Sequence, residues 1–249
     1  MISDPYFYLI AFPAVLLTGI SKGGFGGALG VVGVPLMALV ISPMQAAAIM
    51  LPVLCAMDFF GMRAYLGKWD VANLKIIVPG ALIGIVLGTV TFGAFSENVI
   101  RMAVGVITVA FVLDNLLKDS RKDARAGRSR LRGTFWSGVS GFTSFLAHSG
   151  GPPIMVYLMP QRLDKVVFVG TVNAFFLLTN AFKVVAYAGL GQLSTGNLAT
   201  SLLLAPAVPL GVWLGLHLQR KVDQVWFYRI AQGGLLLTGL LLIVQGLGR

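Results

Sequence analysis

Apolar runs separated by short polar turns fill the chain from end to end. Residues 5–41 are too long for one membrane-crossing helix, which needs about 20 residues. They are interrupted near residues 21–27, which predicts a helix, a glycine break and a second helix. Ser42-Pro43 closes this unit. Residues 45–66 predict an apolar helix containing Asp58, and Arg63, Lys68, Asp70 and Lys75 mark a polar turn. Residues 76–95 and 99–117 predict two more spans around Ser96-Glu97-Asn98. After a basic stretch the order repeats. Residues 133–159 contain a second break, Pro160 to Lys165 turns, and residues 166–188 predict a helix carrying Asn173, Asn180 and Lys183. An uncharged loop, 189–197, precedes a span at 198–218, a turn from Gln219 to Gln224, and a last span at 226–247.

The two breaks organise the rest. Gly19 to Gly30 packs six glycines and one lysine into twelve residues. Each helical glycine costs about 1 kcal/mol relative to alanine, and irregular backbone survives in lipid only where it is buried in protein or lines a wet cavity. The second break is Ser144-Phe-Leu-Ala-His-Ser-Gly-Gly-Pro-Pro153. A shift of 118 lays Gly23, Gly33, Pro35 and Met37 on Gly141, Gly151, Pro153 and Met155. A shift of 122 lays Asp58, Phe60, Ala64, Tyr65 and Gly67 on Asn180, Phe182, Ala186, Tyr187 and Gly189, and a shift of 127 lays Pro79, Gly84 and Gly88 on Pro206, Gly211 and Gly215. The expected organisation is a first transmembrane repeat at 1–117, a basic linker at 118–132 and a second repeat at 133–249.

Composition fixes the class. The 249 residues are 57% hydrophobic and only 11% charged, against roughly 25% charged in soluble domains. The chain is therefore an all-α polytopic membrane protein, with room for roughly eight to ten spans or half-spans. The net charge of +10 is not a nucleic-acid signal, because Lys118 to Arg132 holds seven Lys/Arg against two Asp. Basic loops beside spans mark the cytoplasmic side and meet anionic lipid heads. With 118–132 inside, the first broken unit starts and ends outside and the second starts and ends inside. The halves are then inverted, each a re-entrant, broken-helix hairpin plus three transmembrane helices. Such inverted repeats with discontinuous helices are the architecture of secondary transporters. Cys55 is the single cysteine, so no internal disulfide is possible. Met-Ile-Ser-Asp-Pro lacks the pattern of a cleaved signal, so the first span is expected to be retained.

Anion chemistry is expected at the breaks. A helix beginning near Ala28 would offer free N–H groups and the positive end of its dipole. Gly23, Gly24, Gly26 and Gly27 would let a ligand approach, and Lys22 adds a full charge. Pro152 suits the first position of the second half-helix, where Gly150, Gly151, Ser149, Ser144 and His148 would face the same cavity. Asn173 and Asn180 share a helical face with Lys183 and are candidates for lining the path. Asp58 is the proton-coupling candidate, or else a partner for Lys183, Arg63 or Lys22. Each assignment has a plainer rival: Lys22 snorkelling at a cytoplasmic tip, glycines that only permit close packing, a structural histidine, and Asn as interhelical glue. No Gly-x-Ser-x-Gly, His-Glu-x-x-His or Walker pattern occurs, so no catalytic residue, metal site or cofactor is expected.

Gly19 to Met37 with its echo at Ser140 to Met155, the basic central loop and the Gly-Gly-Pro-Pro of the second half resemble the sulfite exporter TauE/SafE family, also called the toluenesulfonate uptake permease family. The resemblance covers essentially the whole chain. It implies alternating-access transport, often export, of sulfite, sulfoacetate or other organosulfonates across the bacterial inner membrane. Some relatives that handle thiosulfate carry cysteines at the constriction, whereas here the breaks hold Lys22-Gly-Gly and His148-Ser-Gly-Gly. A passive anion channel and a carrier of non-sulfur organic acids are the alternatives.

Overall fold

The computed structural model describes residues 2–28, 33–92, 94–118 and 127–248. These residues form helices α1 (Pro5–Phe25), α2 (Gly33–Met37), α3 (Pro43–Ala64), α4 (Val71–Val90), α5 (Glu97–Lys118), α6 (Arg130–Ala147) and α7 (Gly151–Leu158), then α8 (Lys165–Gly189), α9 (Thr195–Leu204), α10 (Ala207–Lys221) and α11 (Gln224–Gly246), with a 3-10 turn at Met159–Gln161. Their starts follow local chemistry. Asp4, Ser42, Asp70, Ser129, Asp164, Ser194 and Asp223 each accept a hydrogen bond from an amide two or three residues ahead, satisfying donors that the first helical turn leaves free.

Among the described residues α1, α3, α4, α5, α8 and α11 are long and apolar enough to cross a membrane, and α9–α10 form a further pair bent by 45°. The structure is that of a polytopic α-helical membrane protein. Large apolar side chains such as Leu9, Val90, Val185 and Leu202 are exposed, as a lipid-facing surface requires.

The packing has an internal regularity. α1 packs on α10, α6 on α4, α5 on α11 and α3 on α8. Exchanging α1 with α6, α3 with α8, α4 with α10 and α5 with α11 converts this set of pairings into itself. Glycines allow the α1–α10 and α4–α6 contacts to be backbone to backbone. A Cβ on Gly19 would meet Gly211 Cα at 3.0 Å, and one on Gly84 would meet Gly138 O at 2.0 Å.

Several expected boundaries move. α1 continues unbroken to Phe25, 21 residues or about 31 Å, through most of the expected break at 21–27. Gly26 to Ala28 form a turn and α2 is described from Gly33; the expected helix start near Ala28 borders residues 29–32, which lie outside the described residues. The expected span at 198–218 is interrupted at Ala205-Pro206, where proline removes a helical donor and crowds the preceding turn. α4 begins five residues before position 76 and ends at Val90, and Glu97 opens α5 rather than preceding it. The basic stretch 118–132 is shorter as a connection than expected: α5 reaches Lys118 and α6 starts at Arg130, while 119–126 lie outside the described residues.

Candidate functional site

The last turns of α1 and α6 are built alike. Gly26 caps α1 in the left-handed region (φ 63°), and its amide donates to Ser21 O, as does that of Gly27. His148 caps α6 in the same conformation (φ 49°), and its amide and that of Ser149 donate to Thr143 O. The offset is 122 for every member of this set. The hairpins' first limbs therefore align at 122 and not at the expected 118, so Gly23 matches Phe145 rather than Gly141. Their second limbs, α2 and α7, start at Gly33 and Gly151 and keep the offset of 118. The first break is four residues longer than the second.

Turning two amides to one carbonyl deprives the next two carbonyls of helical partners. Side chains of α8 and the C-cap of α3 supply replacements. Asn173 Nδ2 donates to Lys22 O at 3.3 Å, and Tyr65 OH donates to Gly23 O at 2.7 Å. At the other tip Lys183 Nζ donates to Ser144 O at 2.7 Å, and Tyr187 OH donates to Phe145 O at 3.0 Å. This is why both tips can be buried. Tyr65→Phe is expected to cost about 1–3 kcal/mol, the penalty for an unsatisfied buried carbonyl. Thermal unfolding in detergent checks it, and an unchanged midpoint would mean that Gly23 O finds another donor.

Between the tips lies a cavity of about 40 Å³ lined by Lys22, Gly27, Leu54, Ser144, His148, Gly150, Gly151, Phe176 and Asn180. Lys22 is 5% exposed and forms an ion pair with the fully buried Asp58. Asn180 Nδ2 donates to the other Asp58 oxygen at 2.6 Å, and Lys22 Nζ lies 4.9 Å over the Phe176 ring. Snorkelling of Lys22 to a surface is thereby overturned: its ammonium points inward. Of the three cations considered for Asp58, Lys22 is the one that pairs with it.

Some expected ligands stand elsewhere. A Cβ on Gly23 would meet Val212 O at 2.5 Å, and one on Gly24 would meet Gly215 O at 2.4 Å. These two glycines seat α1 on α10 and do not line the cavity. Ser149 Oγ donates to Ala147 O at 3.0 Å and is buried away from it. Asn173 holds Lys22 O, outside the cavity wall. Gly26 shapes the tip, and Pro152 takes the second helical position of α7 behind Gly151. Phe176 and Leu54 were not anticipated; an apolar side chain in an apolar helix carries no signal that it faces a cavity.

The helices long and apolar enough to cross a membrane and a small cavity between two helix tips, lined by both charged and apolar side chains, are the setting in which membrane carriers hold small solutes. The family model for the sulfite exporter TauE/SafE matches residues 11–242. The chain belongs to that family, one of membrane transporters. No curated protein and no solved structure matches it.

Proposed function

We propose that the chain is a secondary carrier of sulfite or a small organosulfonate, exporting it across a bacterial inner membrane with the basic stretch 118–132 on the cytoplasmic side. The observation that carries this reading is the position of the cavity. Lys22, Gly27 and Leu54 come from the elements before the basic stretch, and Ser144, His148, Gly150, Gly151, Phe176 and Asn180 from those after it. A site so divided changes its access when the two sets rock against each other. The self-exchanging helix pairings support two inverted repeats, 1–117 and 133–249.

The donors suit an oxyanion: the Ser144 hydroxyl, the Asn180 amide, and the Gly150 and Gly151 amides at the start of α7. Asp58, paired to Lys22 across the cavity wall, is the proposed proton-coupling group. Protonation would release Lys22 toward the anion.

Counterflow in proteoliposomes tests the reading. Vesicles loaded with unlabelled bisulfite or methanesulfonate and diluted into the labelled anion should accumulate label transiently above equilibrium. Sulfonates should block this and acetate should not. Flux without counterflow would make the protein a channel, and counterflow blocked by acetate alone would make it a carrier of carboxylates.

A further inference from the structure

We infer that Lys183 supplies the uncompensated positive charge of the cavity, so that the site takes a monovalent sulfur oxyanion and holds it through Ser144. This rests on the carrier reading and specifies the charge its substrate must have. The lysine facing the cavity, Lys22, is already neutralised by Asp58, and the remaining Asp58 oxygen is held by Asn180. Lys183 is fully buried. Its ammonium reaches Ser144 O at 2.7 Å, Ser144 Oγ at 3.2 Å and His148 Nδ1 at 3.3 Å, with the Tyr187 ring centroid at 5.9 Å. All of these are neutral groups, and among the described residues no ion pair engages Lys183.

The donor arithmetic fixes the orientation of the surrounding groups. An ammonium has three N–H donors and no acceptor. His148 Nδ1 must therefore accept, which leaves the imidazole neutral with its proton on Nε2. That proton points at Tyr187 Oη, 3.2 Å away, while the Tyr187 hydroxyl proton goes to Phe145 O. Ser144 Oγ likewise accepts from Lys183, so its own hydroxyl proton has no acceptor among the described residues. Ser144 lines the cavity; its O–H is a donor polarised by the ammonium behind it and available to an oxyanion. With Lys22 and Asp58 cancelling and His148 neutral, the site carries one positive charge when Lys183 is protonated. A lone buried charge is costly, and a single-charged anion removes that cost, whereas sulfate would reverse the sign.

The test compares methanesulfonate with its uncharged analogue methanesulfonamide for binding to the purified protein in detergent, using native protein, Lys183→Gln and Lys183→Arg. Gln keeps a donor for Ser144 O without the charge. The expected result is a loss of about thirtyfold in methanesulfonate affinity in Lys183→Gln, the scale of a hydrogen bond to a charged group. Methanesulfonamide affinity should stay within about twofold, and Lys183→Arg should recover most of the anion affinity. Methanesulfonate binding within about threefold of native in Lys183→Gln would overturn the inference. So would an equal loss for both compounds, which would make Lys183 a packing residue. If native protein binds no sulfur anion, the substrate assignment falls. Acetate against acetamide then tests Lys183 alone: a loss confined to acetate supports its role, and an equal loss overturns it.

Discussion

Lys22→Met alone should lower stability by about 3–5 kcal/mol, the cost of stranding one partner of a buried ion pair. Asp58 has no exposure and keeps only Asn180 as a neutral partner once Lys22 is gone. Asp58→Asn should be comparably harmful, because it strands the lysine. The double variant Lys22→Met with Asp58→Asn should regain most of the loss, since a buried pair contributes little net stability over neutral replacements. Thermal unfolding of all four proteins in detergent measures the coupling. Strictly additive losses would mean that the two groups do not depend on each other. The double variant also separates folding from function: well folded, but without Lys22 to meet the anion or Asp58 to carry the proton, it should exchange substrate weakly and without responding to a proton gradient.

Gly151→Ala is expected to leave the fold intact and to slow transport by about tenfold or more, equivalent to about 1.4 kcal/mol. A methyl at this position would meet only Gly27 O, at 3.4 Å, an ordinary contact. Yet Gly151 and Gly27 line the cavity from opposite tips, so the methyl takes space that the substrate needs. Gly150→Ala should behave differently, since its methyl would come within 2.6 Å of Ser144 Cβ and disturb the α6 tip itself. An unfolding midpoint equal to native with reduced counterflow is the expected signature of Gly151→Ala. Unchanged counterflow would place the substrate path elsewhere.

The membrane class was legible because lipid leaves little choice of residue over long stretches. The most informative correspondences between the two halves lie in uncommon residues: Asp58 with Asn180, and Tyr65 with Tyr187. Tyr65 and Tyr187 bind equivalent carbonyls, Gly23 O and Phe145 O, and Asn180 donates to Asp58. Of the matches at an offset of 118, Gly23 with Gly141 does not follow the tip hydrogen bonds, which run at 122, because glycines recur throughout membrane helices for packing. Gly23 and Gly24 belong to that packing. Ser144, His148, Gly150, Gly151 and Asn180 do line one cavity, and Lys22 does enter it. The sequence could not say that Asp58 takes up the charge of Lys22, because partner choice depends on how α1 meets α3. Lys183 was visible as a polar position on a helical face, but its relation to Ser144 exists only in three dimensions. The kink at Pro206 was hidden by unbroken apolar character on both sides.

Asn173 and Lys183, which hold Lys22 O and Ser144 O, both stand on α8. The two tips are thus fastened to one rod, ten residues apart along it, or about 15 Å. A shift or rotation of α8 must load both fastenings together and cannot release one tip while leaving the other undisturbed. Such a shared strut would make simultaneous opening to both sides mechanically awkward, which is the leak that a carrier has to suppress.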